Sequence, residues 1–324
     1  MATTQHQLHD IIFAPYLFIY RLIQILLDRI LSPTPPPPGT KLTRKKVAVI
    51  GGGLTGVSAA AHCVGHGFDV VLFEKGENKK SIGGIWTKVN NTSGLQINSV
   101  MYRFHPKVYW REGYPTRNEI VEQIQDLWHT YHLEEKTQFG VDVEKVYKDD
   151  QGRWIVNNPS YGRFDGVIAA VGTCGDPKIP HIPGQDKFKG EIIHSSQLDG
   201  KSAKGKKVLI IGGGASAVEA LEFVAQEEAQ KAYVLARSEK WIIPRNPVID
   251  ILLSLNVFGE ELWSSWIPES LLRIFFYRDL KDIAPPKGSG KGLFTETPMV
   301  NDKVLDTVRS GKVCSTETLS IRLR

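Results

Sequence analysis

Residues Lys45–Ala60 read KKVAVIGGGLTGVSAA, and residues Lys206–Leu221 read KKVLIIGGGASAVEAL. Set at an offset of 161 residues the two stretches share nine identities in sixteen positions, so the chain carries an internal repeat. Each copy begins with a short apolar run, Val47–Ile50 or Val208–Ile211, crosses three glycines and enters an alanine-rich helical pattern. A strand, a tight turn and a helix are expected in that order, twice.

In the first copy Gly51, Gly53 and Gly56 complete GxGxxG. The three glycines permit the tight turn, the close approach of backbone to a pyrophosphate, and the close packing of helix on strand. The phosphates would sit at the helix N-terminus, where backbone N–H groups point outward. Eighteen residues after Gly56, the apolar stretch Val70–Phe73 ends in Glu74, placed to accept hydrogen bonds from a ribose. In the second copy Gly212 and Gly214 are kept, the third position is Ala217, and Ser216 joins the turn's contact set. The strand Tyr233–Ala236 ends in Arg237, whose charge suits the 2′-phosphate of NADP, whereas Glu74 would repel one. Two nucleotides in one chain imply electron transfer between them. With NADPH in the second site, the first is most simply FAD, which accepts a hydride and passes electrons on.

Length and composition agree. The 324 residues suffice for two domains with cores of their own, and 41% hydrophobic with 23% charged residues is ordinary for globular chains. A net charge of +5 spread along the chain gives no nucleic-acid footprint. The three cysteines, Cys63, Cys174 and Cys314, lie far apart with no CxxC pair, which argues against a disulfide framework, a zinc ribbon and a disulfide reductase. His62 and His66, at i and i+4, lack a third ligand in the pattern, so no metal site is expected. Gly214-Ala-Ser216-Ala217 lacks the last glycine of a nucleophile elbow, and Lys291 of Gly288–Lys291 is followed by Gly292 where a phosphate loop needs Ser or Thr. His194 reads either as a base or as a structural hydrogen-bonding residue.

The N-terminal run Ile11–Leu31 is apolar but interrupted by Arg21, Gln24, Asp28 and Arg29. On a helix Arg21, Gln24 and Asp28 form a narrow polar stripe beside a broad apolar face, as in helices that lie in a membrane interface; packing on the protein's own surface is the alternative. The Pro33–Pro38 stretch is expected to be a stiff spacer holding the body off that anchor. Lys41, Arg44, Lys45 and Lys46 follow it, which places the globular part on the cytosolic side of a membrane, the endoplasmic reticulum being one candidate.

Further motifs surround the repeats: Gly83-Gly84-Ile85-Trp86, Asn98-Ser99, Val171-Gly172-Thr173, Phe188 with Gly190 and His194, and Val300-Asn301-Asp302. Together they resemble the flavin-containing monooxygenases, within the class B flavoprotein monooxygenases, and more loosely their Baeyer-Villiger relatives. Leu198 departs from the first group's signature, and Leu198-Asp199 meets that of the second only in part. The resemblance spans about residues 44–312. It implies an α/β protein of two Rossmann-like dinucleotide-binding domains, one for FAD and one for NADPH, which the N-terminal hydrophobic helix read above precedes. The expected ranges are 1–38 for the membrane-associating helix and spacer, 39–190 for the FAD domain and 191–324 for the NADPH domain. The implied reaction takes a hydride from NADPH, adds dioxygen at the flavin C4a and oxygenates a nucleophilic nitrogen or sulfur of a small molecule, with a carbonyl as the second choice of substrate. Gly84 and Trp86 would touch the flavin, and Asn98 would lie beside its reactive edge. Relatives return after the NADPH domain to complete the FAD domain, whereas the tail after Lys312, VCSTETLSIRLR, does not resemble that strand. The chain is therefore expected to be C-terminally truncated, and a catalytically inactive form retaining nucleotide or membrane binding is the alternative.

Overall fold

The computed structural model describes residues 2–175, 177–236, 241–246, 249–250, 253, 265–280, 284–285, 292–295, 298–301, 305, 309 and 313–315. They fall into two compact units, one of residues 1–89 with 99–178 and the other of 90–98 with 179–324. These differ from the expected ranges: the N-terminal helix belongs to the first unit, and residues 90–98 and 179–190 go with the second.

The first unit is built on a four-stranded parallel sheet. Strand β1 (Arg44–Ile50) pairs on one side with β2 (Phe68–Phe73), which pairs with β3 (Thr137–Gln138), and on the other with β6 (Gly166–Ala169). The run Val47–Ile50 is buried because β1 is central and covered on both faces, as its unbroken apolar pattern requires. Helix α2 (Leu54–Gly65) returns the chain from β1 to β2 and buries Val57, Ala60, Ala61 and Val64, a stripe of small residues. Helix α3 (Arg117–Thr130) is capped by Thr116, whose hydroxyl accepts from Glu119 N–H, and buries Ile120, Ile124, Leu127 and Trp128. An antiparallel pair, β4 (Val146–Lys148) and β5 (Trp154–Val156), contributes Val156 to a core with Ala48, Phe73 and Phe164.

The N-terminal segment is a single helix, α1 (Ala2–Leu31). No helix among the described residues is long and apolar enough to cross a membrane. Of the polar stripe of α1, Gln24 turns inward while Arg21 stays exposed. Gln24 is 1% exposed; its Nε2 donates to Trp110 O at 3.0 Å and its Oε1 accepts Trp110 N–H at 2.7 Å. The proline segment does not hold the body off as expected, because it packs on the first unit: Pro33, Pro35 and Pro36 are half-buried, and the Tyr131 hydroxyl donates to Pro33 O. A chain with no backbone donors at its prolines still has carbonyls to offer, and Tyr131 uses one.

In the second unit β7 (Lys207–Ile211) pairs in parallel with β8 (Lys231–Leu235), which pairs with β11 (Val313–Ser315). Helix α4 (Ala215–Gln226) joins β7 to β8 and buries Val218, Ala220, Leu221 and Val224. A second parallel pair joins β9 (Ile242–Ile243) to β10 (Met299–Val300). Both halves of the repeat thus form the expected strand, turn and helix.

Candidate functional site: two glycine turns

The first turn is closed by contacts that only glycine permits. A β-carbon at Gly56 would come within 1.8 Å of Gly51 O, so the first helical turn sits directly on the turn's own backbone. No side chain caps α2, whose N-cap is Gly53, and its leading N–H groups face the turn as a phosphate would require. The Glu74 carboxylate, at the end of β2, accepts Gly52 N–H at Oε2 (2.7 Å) and Gly76 N–H at Oε1 (2.8 Å). It is thereby held beside the turn with lone pairs left for further donors.

Gly83 and Gly84 come to the same place. Gly83 N–H donates to Gly52 O at 2.9 Å, and Gly84, at φ +58°, lies so close that a β-carbon on it would be 2.9 Å from Gly53 Cα. Trp86 follows within one short turn. Its indole N–H donates to the Tyr102 hydroxyl at 3.2 Å, and its carbonyl accepts from Arg117 Nε at 2.9 Å. The structure therefore brings together Gly51, Gly53, Gly56, Glu74, Gly84 and Trp86. An open cleft of about 470 Å³ on the outer side of α3, lined by Lys80, Arg117 and Gln125 among others, contains none of these residues.

The second turn repeats the geometry with looser packing. Gly212, at φ +139°, donates its N–H to Leu235 O at 2.9 Å, and α4 starts at Gly214 with no side-chain cap. Gly214 and Ser216 are exposed at that helix start. Arg237 lies outside the described residues, as does Asp302 of the later motif.

Asn98 belongs to the second unit, where it is 3% exposed and its backbone N–H donates to Asp250 Oδ2 at 3.0 Å. The rest of its segment is stitched to residues 195–199: Leu198 N–H donates to Asn90 Oδ1 at 3.1 Å, and Asn91 N–H to Asp199 Oδ1 at 3.0 Å. Leu198 is buried, so the residue that departs from the signature fills a core position. His194 acts as a cap: its Nδ1 accepts Ser196 N–H at 3.2 Å, and its own N–H donates to Gln197 Oε1. Of its two readings the structural one has the geometry. Trp241 is packing, edge-on to Tyr277 with ring centres 5.7 Å apart. His62 and His66 stack at 6.4 Å, and no metal-binding group of three or more such side chains occurs among the described residues.

Two carboxylates escaped the sequence reading. Glu222 is buried within α4, where Asn301 Nδ2 donates to its Oε2 at 2.7 Å and Arg245 Nη2 lies 4.0 Å away. Glu219, three positions earlier on the same helix, is pushed up in pKa by burial, against the lowering effect of the Ser93 hydroxyl that donates to it at 2.9 Å. An acid at an inward position of an amphipathic helix was the available signal.

Paired glycine turns, each opening an uncapped helix from the end of a parallel strand, define an α/β protein of the dinucleotide-fold class. Residues 48–287 match the sequence profile of the family described as pyridine nucleotide-disulphide oxidoreductase, and the chain belongs to that family. Among curated relatives, it is 29% identical over 229 residues to a Baeyer-Villiger monooxygenase of Pseudomonas aeruginosa, covering 67% of this chain and 42% of the relative. It is 27% identical over 309 residues to flavin-containing monooxygenase 5 of Rattus norvegicus, covering 84% of this chain and 56% of the relative. The chain thus spans about half the length of such relatives or less. Among solved structures, an oxidized steroid monooxygenase bound to NADP superposes with TM-score 0.63 at 18% identity, covering 85% of this chain and 66% of the other, a likeness of fold. The resemblance to flavin-containing monooxygenases read from the motifs is borne out by these relatives.

Proposed function

We propose that the chain serves an NADPH- and FAD-dependent monooxygenase that uses dioxygen to oxygenate a nucleophilic nitrogen or sulfur of a small molecule, a carbonyl being the second choice of substrate. The observation that carries this reading is the first glycine turn with Glu74 fastened beside it and Gly83-Gly84 packed on it. These residues fit FAD: the turn offers backbone N–H groups for a pyrophosphate and Glu74 an acceptor for ribose hydroxyls, while Gly84 and Trp86 lie within the same cradle.

When bound, FAD supplies the redox chemistry, accepting a hydride from NADPH and then reacting with dioxygen. The chain's own residues bind and orient. Gly51, Gly53 and Gly56 hold the FAD phosphates; Gly212, Gly214 and Ser216 do the same for NADPH, with Arg237 on the 2′-phosphate. Asn98 is assigned to the flavin's reacting edge, where its amide would donate a hydrogen bond. Disulfide chemistry is disfavoured, since Cys63, Cys174 and Cys314 form no CxxC pair. The protein is proposed to work at a membrane surface, with its globular part in the cytosol.

The test is spectroscopic. Purified protein reconstituted with FAD should show a bound-flavin spectrum that NADPH bleaches faster than NADH, and Arg237→Ala should weaken NADPH far more than NADH. Failure to bind FAD, or equal loss for both nicotinamides, would remove the respective assignment.

A further inference from the structure

Helix α1 has the polarity of its two faces reversed relative to a helix docked on a protein core. Tyr20 and Gln24 are buried against the first unit, and Arg103 Nη1 adds a third hydrogen bond to Gln24, 3.1 Å from its Oε1. Asp28, on the same line, accepts from the Ser32 hydroxyl at 2.7 Å and lies 3.7 Å from Lys107 Nζ. The opposite line, at four-residue spacing, is Phe18, Leu22, Leu26 and Ile30, exposed by 63%, 47%, 56% and 74%. Ile19, Ile23 and Ile25 widen it. Polar side chains therefore fasten the helix while its apolar side chains face outward. Surface helices of water-exposed proteins do the opposite.

Charge selects the occupant. From Pro15 to Leu31 the only acid is Asp28, which is paired with Lys107, whereas Arg21 and Arg29 are exposed, as are Lys41, Arg44 and Lys45 beyond the prolines. An apolar strip that carries exposed Arg21 and Arg29, its one acid paired with Lys107, fits a surface that is apolar within and anionic at its headgroups. We propose that residues 18–30 of α1 lie in the plane of an anionic lipid membrane, with the Phe18, Leu22, Leu26 and Ile30 line in the acyl boundary. Arg21 and Arg29 meet the headgroup phosphates, and the hydrogen bonds at Gln24 fix which face of the helix is presented. Lipid then covers apolar surface that the fold leaves in water, and the helix needs no spanning length. The inference deepens the membrane-surface part of the proposed function and rests on it, independently of the flavin assignment.

Co-sedimentation of the full chain with vesicles tests it. Binding is expected to vesicles of phosphatidylcholine with one-third phosphatidylserine and to weaken in high salt, with little binding to phosphatidylcholine alone. Leu22→Ser with Leu26→Ser should lower binding by roughly tenfold or more while circular dichroism and thermal midpoint stay unchanged, since both side chains face outward. Arg21→Ala with Arg29→Ala should erase the preference for anionic vesicles. Equal binding of the parent chain to both vesicle types overturns the anionic assignment; binding to neither overturns the membrane reading as well. Concentration-dependent dimers by sedimentation velocity that vanish in the Leu22/Leu26 variant would assign the face to a second copy and overturn the proposal. FAD and NADPH binding, measured without vesicles, reports separately on the flavin assignment.

Discussion

The Glu74 carboxylate closes on the Gly52 amide at 2.7 Å, so the acidic end of β2 and the glycine turn after β1 form one hydrogen-bonded unit. The charge contributes twice, orienting the turn and waiting for ribose hydroxyls. Glu74→Gln keeps the shape but removes the charge and turns an NH2 group toward one of two N–H donors. A hydrogen bond to a charged group contributes about 1.5–3 kcal/mol, so the Kd for FAD should rise roughly tenfold to a hundredfold. Flavin fluorescence on dilution measures it, and an unchanged Kd would separate Glu74 from the site.

The two copies of the repeat differ in how much space their turns leave. Alanine at Gly56 would place a methyl 1.8 Å from Gly51 O, whereas a β-carbon at Gly214 meets nothing within 4 Å. Gly56→Ala is therefore expected to lower unfolding free energy by about 2–3 kcal/mol. Gly214→Ala should cost less than about 1 kcal/mol, the scale of an N-cap change. Urea midpoints of the two variants give the comparison, and equal losses would contradict it.

In the second unit the buried Tyr277 hydroxyl donates to Ile242 O at 2.7 Å and accepts Ile242 N–H at 2.8 Å. Tyr277→Phe leaves both backbone groups without this partner, a loss of about 1–3 kcal/mol. Burial also raises the phenol's pKa from 10.0 to about 12. The folded state then holds the proton more tightly than the unfolded state, so this contribution is complete below pH 10 and is lost as pH rises toward 12. The stability of Tyr277→Phe should fall less steeply over that interval.

His105 gives the acid-side counterpart. It is 1% exposed, its Nδ1 accepts Lys107 N–H at 3.0 Å, and its ring centre lies 4.4 Å from that of His62. Burial, reinforced by the neighbouring His62, lowers its pKa from 6.5 to about 3. Between these values the unfolded chain binds a proton that the folded chain refuses, so stability is full above pH 6.5 and declines as pH falls toward 3. His105→Gln should flatten the pH dependence of the denaturation midpoint between pH 6.5 and 4, and an unaltered slope would assign the acid sensitivity elsewhere.

What could be read from the sequence was local. Strand, turn and helix lie within sixteen residues in each copy, and Glu74 follows at a distance set by the α2 and β2 lengths, so periodicity and spacing reached them. The inward face of α1 was beyond that reach, because Gln24 finds its partners on Trp110 and Arg103, far along the chain. Arg21 of the same stripe is exposed, and only its tertiary partners set Gln24 apart as the buried member. Likewise Pro33 gave no sign of meeting Tyr131, nor Asn301 of meeting Glu222. The bonding of Asn90 and Asn91 to Leu198 and Asp199 moves residues 90–98 out of the unit that flanks them in sequence.

The placement of β1 between β2 and β6 has a consequence during synthesis. One neighbour, β2, is complete at Phe73, but the other, Gly166–Ala169, is translated more than ninety residues later. At on the order of 5–20 residues per second, the apolar edge of β1 waits roughly ten seconds on the ribosome for its second partner. A nascent chain stalled in that interval displays Val47–Ile50 as an open strand edge, and a holding chaperone would find its target there.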